Sequence, residues 1–481
     1  MYRPGPRMLL RAHVGPGPAP LSFRHQPAIL SRMYAVVVGA GEVGFHIAAI
    51  LSQEGHEVAV IDRDRARYER ASQELDVLAL HGNGASPRVL EQASMGRADL
   101  LVAVTDSDEV NMIACAAAKQ VGVPLTVARV RNEDYFQDGK LLAAGFVGVD
   151  HVIQPEAAVA DEVVKIASLP GALDVETFAA GQVSVIEVQV DPASGAVGIP
   201  LRELALPEGV LVTAILREGA TLVPRGDSTL QSKDRVFLVG KAVPTAAAAQ
   251  QLAGHPAEVK KAILLGCGEI GMRVALGLEQ RRIDVTVFEK DPTQAARAAD
   301  TLRRSMVIAD EGIDENILIE EGVRTADVFV AATGDDRLNI LTALMAKQLG
   351  ARRAMAIVER AEFSRVVESV GVDVAISPRR MTASAILRFV RAGSVINAAV
   401  LDKSAGEVLE LVVHSSSAVC GKPLAEVDFP RGALVGAVVR GGSVLIPDGR
   451  CTLGEGDVAV VFALAEAVHK VERLFGPRRW R

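Results

Sequence analysis

Two glycine stretches have the spacing needed to hold a phosphate. Gly39-Ala40-Gly41-Glu42-Val43-Gly44 follows an apolar run and opens a helix-like stretch. In this pattern the first glycine permits a tight turn. The second lets a pyrophosphate approach the backbone, and the third lets the helix pack close to the strand. The phosphate then rests on the N–H groups of the helix start. Asp62 ends the next apolar run. Its carboxylate can accept bonds from ribose hydroxyls and would repel a 2′-phosphate, so NAD or an adenine nucleotide is favoured over NADP. The pattern returns as Gly266-Cys267-Gly268-Glu269-Ile270-Gly271, with Glu289 in the place of Asp62. The second copy reads either as a second site or as a structural relic.

Other polar residues fall where parallel strands would end. Thr105-Asp106-Ser107-Asp108-Glu109 follows the fourth apolar run, and Arg129 ends the fifth. Such ends line the ligand crevice of a doubly wound sheet. Thr105 is the better ligand contact, whereas Ser107 and Asp108 equally suit a helix cap with an acidic first turn. Arg129 reads as a phosphate partner or as a surface arginine.

Catalytic constellations are missing. A dehydrogenase needs an acid–base group in a substrate domain. Residues 172–240 contain no histidine, and the chain has no nucleophile elbow, P-loop or HExxH. The four cysteines form no CxxC pair, which disfavours a thiolate zinc site and a disulfide scaffold and points to a reducing compartment. The pattern is one of binding without chemistry.

Repetition shows what must position these groups. VVVGAGEVG at 36–44 returns as ILLGCGEIG at 263–271, and VAVIDRD at 58–64 as VTVFEKD at 285–291. VAVTDSDEVNMIACAAAKQVG at 102–122 returns as VAATGDDRLNILTALMAKQLG at 330–350. LVTAILREG at 211–219 returns as LVGAVVRGG at 434–442. A whole module of about 225 residues is duplicated, a period far too long for a solenoid. Within module one, apolar runs at Tyr34–Val38, Val58–Ile61, Val77–Leu80, Leu100–Val104 and Leu125–Ala128 alternate with helix-like stretches. That alternation predicts an α/β fold with a Rossmann-like, doubly wound parallel sheet. Residues 172–240 differ, with short alternating runs (Val183–Val190, Val210–Leu216, Arg235–Val239) and turn residues, as in a small α+β domain.

The expected division is a basic head at 1–32 and a first Rossmann-like domain at 33–153. A crossover helix and small domain follow at 154–240, then a helical linker at 241–260. A second Rossmann-like domain (261–376) and a second crossover helix and small domain (377–475) precede a short tail (476–481). The stretches after Pro155 and Pro378 start helices with proline at the first turn. Their apolar residues (Val159, Val163, Val164 and Ile166; Met381, Ile386, Leu387, Phe389 and Val390) are expected to be buried between modules.

Composition agrees. At about 150 residues per domain, 481 residues suggest roughly three to four domains. With 49% hydrophobic and only 4% aromatic residues, the core must be aliphatic, as in buried parallel sheets. The net charge of −7 gives no general attraction to nucleic acid or to an anionic membrane. No apolar run is long enough to span a membrane. The Arg-, Pro- and Gly-rich head contains no acid and reads as a disordered or mis-started segment ahead of Met33. An Arg-rich targeting peptide is the alternative.

These residues, in this order, resemble the TrkA family, the cytosolic subunits of bacterial Trk potassium uptake systems built from regulator-of-potassium-conductance modules. The resemblance runs from Met33 to about Phe475. It rests on GAGEVG with IDRD, GASPRVLEQA at 84–93, LVAVTDSDEVNMIAC at 101–115, ARVR at 128–131, IDENILIEEGV at 313–323 and VFVAATGDDRLNI at 328–340. It implies binding of NAD(H), and of ATP or ADP, in each crevice. It implies a homo-oligomer, a tetramer with a ring of eight modules. The ring would dock on the cytoplasmic face of a membrane potassium channel subunit of the TrkH/TrkG type and gate it. Carried over by motif, the contacts would be Gly39, Ala40, Gly41, Glu42, Val43, Asp62, Thr105, Asp106 and Arg129. In module two they would be Gly266, Cys267, Gly268, Glu269, Ile270 and Glu289. No catalytic residue, metal or nucleic acid is implied. Many relatives carry Gly-Asp after the third strand, whereas this chain has Gly82-Asn83 and Ala309-Asp310. A regulator of another cation transporter or antiporter, or an NAD-dependent oxidoreductase, is the alternative reading.

Overall fold

A computed structural model describes residues 33–476 apart from 54, 138–139, 142–147, 255–257, 361–362, 364–366, 368–369, 379–380, 383–394 and 402–405. The expectations for the head, for the last five residues and for Ile386, Leu387, Phe389 and Val390 lie outside the described residues.

Module one begins with six strands: β1 (Tyr34–Val38), β2 (Glu57–Asp62), β3 (Leu78–His81), β4 (Leu100–Ala103), β5 (Leu125–Arg129) and β6 (His151–Ile153). They form one parallel sheet in the order β3-β2-β1-β4-β5-β6. The chain order reverses beside β1, so the carboxyl ends of β1 and β4 flank a crevice. Val36, Val37, Val102 and Val127 are fully buried, as strands covered on both faces require. Module two repeats the sheet with Lys261–Leu265 at its centre and Val374–Ile376 at one edge. The sixth strand of module one is three residues long, too short to carry a period, and the sequence pattern does not predict it.

The small domains are five-stranded antiparallel sheets. The first includes Val183–Gln189, Val210–Arg217 and Arg235–Lys241, close to the expected runs, and adds Ala172–Phe178 and Ala220–Leu222. Helix Ala242–Ala253 closes it, burying Ala248, Ala249 and Leu252 in its core. The two small sheets stack. Phe178, Val185, Phe237 and Val239 of the first share a core with Val408, Ala437, Val460 and Phe462 of the second. A Cβ on Gly436 would lie 2.9 Å from Val239 Cγ1, so glycine there sets the sheet separation.

The crossover helix Pro155–Ser168 does what its apolar face predicted. Val159, Val163, Val164 and Ile166 are buried in one cluster with Val274, Ala275 and Leu278 of module two. The interface therefore joins two modules of one chain. A Cβ on Gly277 would stand 2.7 Å from Val164 Cγ2, so the two helices touch at a glycine. Of the second copy's residues, Met381 packs at the edge of this cluster.

One carboxyl sits awkwardly in that helix. Glu162 is buried, and burial first, then Asp174 and Glu176 nearby, pushes it up to about 8, while Lys165 at 3.4 Å opposes the shift. An unfolded glutamate titrates near pH ~4.3. Between these values the folded chain holds a proton that the unfolded chain has released. This contribution is fully present below the unfolded value and is lost as pH rises through about 8. Glu162→Gln should therefore flatten that slope and raise the melting temperature at pH ~8.5 by at least about 2 °C, with no gain at pH ~4.5. Parallel pH-melting profiles for variant and parent would refute the assignment.

Candidate nucleotide site

The glycine loops have the geometry their spacing predicted. Gly39 has φ +102° and Gly266 φ +90°, a region that glycine enters without a Cβ penalty. A Cβ on Gly44 would lie 1.8 Å from the Gly39 carbonyl oxygen, and one on Gly271 2.1 Å from that of Gly266. These third glycines are required by packing. The middle ones are not. A Cβ on Gly41 would meet only the Arg67 guanidinium, at 3.7 Å, and one on Gly268 would meet nothing within 4 Å. The space over each middle glycine is the cradle. Helices Glu42–Gln53 and Glu269–Gln280 start beneath it, and helix starts of this kind offer N–H groups to an anion.

Asp62 and Glu289 are buried and hold the loops in shape. Asp62 accepts from the Ala40 N–H at 2.6 Å and the Asp64 N–H at 2.7 Å. Glu289 accepts from the Cys267 N–H at 2.7 Å and the Asp291 N–H at 2.9 Å. Each carboxylate oxygen has two acceptor lone pairs, so a ribose hydroxyl can still be accepted. Burial first, then Glu289, pushes the Cys267 thiol up to about 11, which leaves little thiolate near neutral pH.

The ends of β4 and β5 are stitched by a residue outside the predicted set. Asn111 Oδ1 accepts from the Thr105 N–H at 2.8 Å and from its hydroxyl at 2.7 Å. Asn111 Nδ2 donates to the carbonyls of Thr105 and Arg129, at 3.2 and 2.8 Å. Asn339 makes the same four bonds to Thr333 and Ile357. Both asparagines are fully buried. The available signal was their return at matching places in the repeat. Asp108 bridges further, accepting from the N–H groups of Arg131 and Asn132, both at 2.8 Å. Ser107 caps the helix Asp108–Gln120.

Cations gather on module one. Arg129 pairs with Glu156 at 2.7 Å, and its Nε is buried without a partner. Asp106 lies 3.3 Å from Arg63, and its carbonyl accepts from Arg131. Arg63, Arg67 and Arg129 line a cavity of about 480 Å3, within the range for a nucleotide-sized ligand. Gly39, Gly41, Glu42, Val43, Asp62, Thr105 and Asp106 also line it. Ala40 does not line it and is a backbone partner of Asp62. Across the cavity stand Gly268, Glu269, Ile270, Thr333 and Glu359 of module two.

Two phosphate-type cradles on duplicated Rossmann-like sheets, each followed by a small antiparallel domain, define a tandem nucleotide-binding-fold protein. The TrkA-N domain family model matches residues 35–155 and 262–378, and the TrkA-C domain model matches 185–253 and 408–476. The chain is 37% identical over 451 residues to the Trk system potassium uptake protein TrkA homolog 1 of Methanosarcina mazei, covering 92% of this chain and 100% of the relative. It is 32% identical to the Trk system potassium uptake protein TrkA of Haemophilus influenzae, covering 92% and 99%. The crystal structure of the GsuK RCK domain superimposes with a TM-score of 0.60 at 18% identity, covering 94% of this chain and 98% of that one. The GsuK channel bound to NAD gives the same TM-score over 94% and 81%. The chain belongs to the TrkA family of Trk potassium uptake proteins.

Proposed function

We propose that this chain is a cytosolic regulatory subunit that binds NAD(H), or ADP and ATP, and gates a Trk-type potassium channel subunit at the inner face of the membrane. One observation carries the reading: the cradle over Gly41 is open, although nothing in the packing requires glycine there. Asp62 at the ribose position and the arginines beside the cradle support a dinucleotide. The relatives are named as potassium uptake proteins, and the solved GsuK channel is described as bound to NAD. No helix among the described residues is long and apolar enough to cross a membrane, which fits a separate membrane partner. Gating then requires the nucleotide to bind one module arrangement more tightly than another.

The reading includes self-association. Ile113 and Leu341 sit at matching places on helices Asp108–Gln120 and Asp336–Leu349, 52% and 65% exposed. They are candidate contacts for the homo-oligomer, a tetramer, that this reading includes.

Gly41→Val tests the site. Its Cβ fits the fold, so the chain should melt normally while the side chain fills the cradle. Calorimetry should show NADH affinity falling at least about 100-fold, because pyrophosphate loses its backbone bonds. Undiminished NADH affinity in the folded variant rejects the nucleotide reading. Potassium uptake in cells lacking the native subunit then tests gating.

A further inference from the structure

The two crevices are not equivalent, and the repeat shows how they differ. Strand register and the shared helix caps Asp64 and Asp291 align the modules residue by residue. Arg67, poised over the first cradle, corresponds to Gln294. Arg129 corresponds to Ile357, and Arg131 to Glu359. Of the three cations lining the cavity, Arg63 keeps its charge as Lys290, whereas Arg67 and Arg129 become an amide and an alkyl chain.

The cavity makes the same distinction independently. In module one it runs from the glycine loop to Asp62, and on to Thr105 and Arg129. It therefore spans the positions for pyrophosphate, ribose and the far half of a dinucleotide. In module two it also runs from the glycine loop at Gly268 to Thr333 and Ile357, the counterparts of Thr105 and Arg129, but it misses the acid that ends the second strand. Glu289, the counterpart of Asp62, does not line it. This space of about 480 Å3 lies between both loops, and it is sized for one ligand of this class.

We propose that each chain holds one pyrophosphate-bearing nucleotide, seated on module one, and that module two serves as the opposite wall of that site. The proposal rests on the nucleotide reading above. The specificity lies in Arg67 and Arg129. A diphosphate carries negative charge that the helix dipole offsets only in part, and the guanidinium groups supply the rest. On module two an arriving diphosphate would meet Glu269, Asp336 and Glu359 with no arginine among the lining residues. Like charge in a half-enclosed space disfavours it. The duplicated sheet is then retained as a wall whose position the ligand can sense, since Glu269 and Thr333 border the same cavity.

The test is calorimetric titration of the full-length chain with NADH. One equivalent per chain is expected, and two equivalents overturn the proposal. Arg67→Gln places the module-two residue on module one at an exposed site, so folding is preserved. Loss of one charge-assisted contact should weaken the whole titration by about 10- to 100-fold. A residual equivalent of parental affinity in that variant would locate a second site on module two and overturn the proposal, leaving the nucleotide reading intact. If the parent chain binds no NADH at all, the nucleotide reading fails, and the proposal falls with it.

Discussion

Arg353→Leu should lower the stability of the chain by about 3–5 kcal/mol and loosen module one from module two. Arg353 precedes the strand Ala354–Ile357 of module two and is only 5% exposed. Its guanidinium reaches across to module one. Nη1 donates to the carbonyls of Leu169 and Ala172, at 2.9 and 2.7 Å. Nη2 donates to those of Ile166 and Ala167, at 2.8 and 3.0 Å. The carbonyls of Ile166, Ala167 and Leu169 lie at the end of the helix Pro155–Ser168, where the last turn lacks helical N–H partners, and Ala172 opens the next strand. A cation there also meets the negative end of the helix dipole. Burial lowers the guanidinium to about 10, with Asp373 and Asp327 opposing the shift, so it stays charged at neutral pH. Leucine would deprive four buried acceptors of this cation; those of Ile166 and Leu169 keep a backbone N–H, and each acceptor left unpaired costs about 1–3 kcal/mol unless water enters. Module one carries Leu125 at the matching strand position, so the strand itself accepts the side chain. Chemical denaturation and hydrogen exchange at residues 166–172 measure the effect. An unchanged unfolding midpoint with unchanged protection would show that the pin contributes nothing.

Val163→Asp should be comparably severe, and for a different reason. Val163 is fully buried on the face of the crossover helix that meets Val274, Ala275 and Leu278. A carboxylate at that place would be unpaired in a closely packed apolar layer, which costs several kcal/mol. Val163→Ala, which only empties volume, should cost roughly 1–3 kcal/mol. Asp161→Ala on the exposed face of the same helix should change little. Because the layer joins modules of one chain, the loss should show in melting temperature, whatever the oligomeric mass. If Val163→Asp melts with the parent, the packed face has been misplaced.

Much of the site was legible in the sequence because its chemistry is local. A tight turn, a close approach and a helix start all fall within Gly39–Gly44, and the acid that braces them ends the next strand. Period-2 and period-3.6 patterns then located most strands and helices of module one. The duplication did the same for module two without an independent argument. Asn111 and Asn339 stayed hidden. An asparagine within a helix has no local signature, and its four bonds go to the ends of two strands.

The sequence by itself determined the duplicated α/β frame, the two glycine loops with their acids and the aliphatic core. Each of these follows from residue types read over a few turns of chain. Tertiary structure alone decided that both loops open on one cavity, that the small sheets stack face to face, and that Arg353 caps a helix lying about 185 residues earlier in the chain. Such contacts depend on how whole domains meet. Side-chain periodicity says which face is apolar, and only packing chooses the partner that covers it.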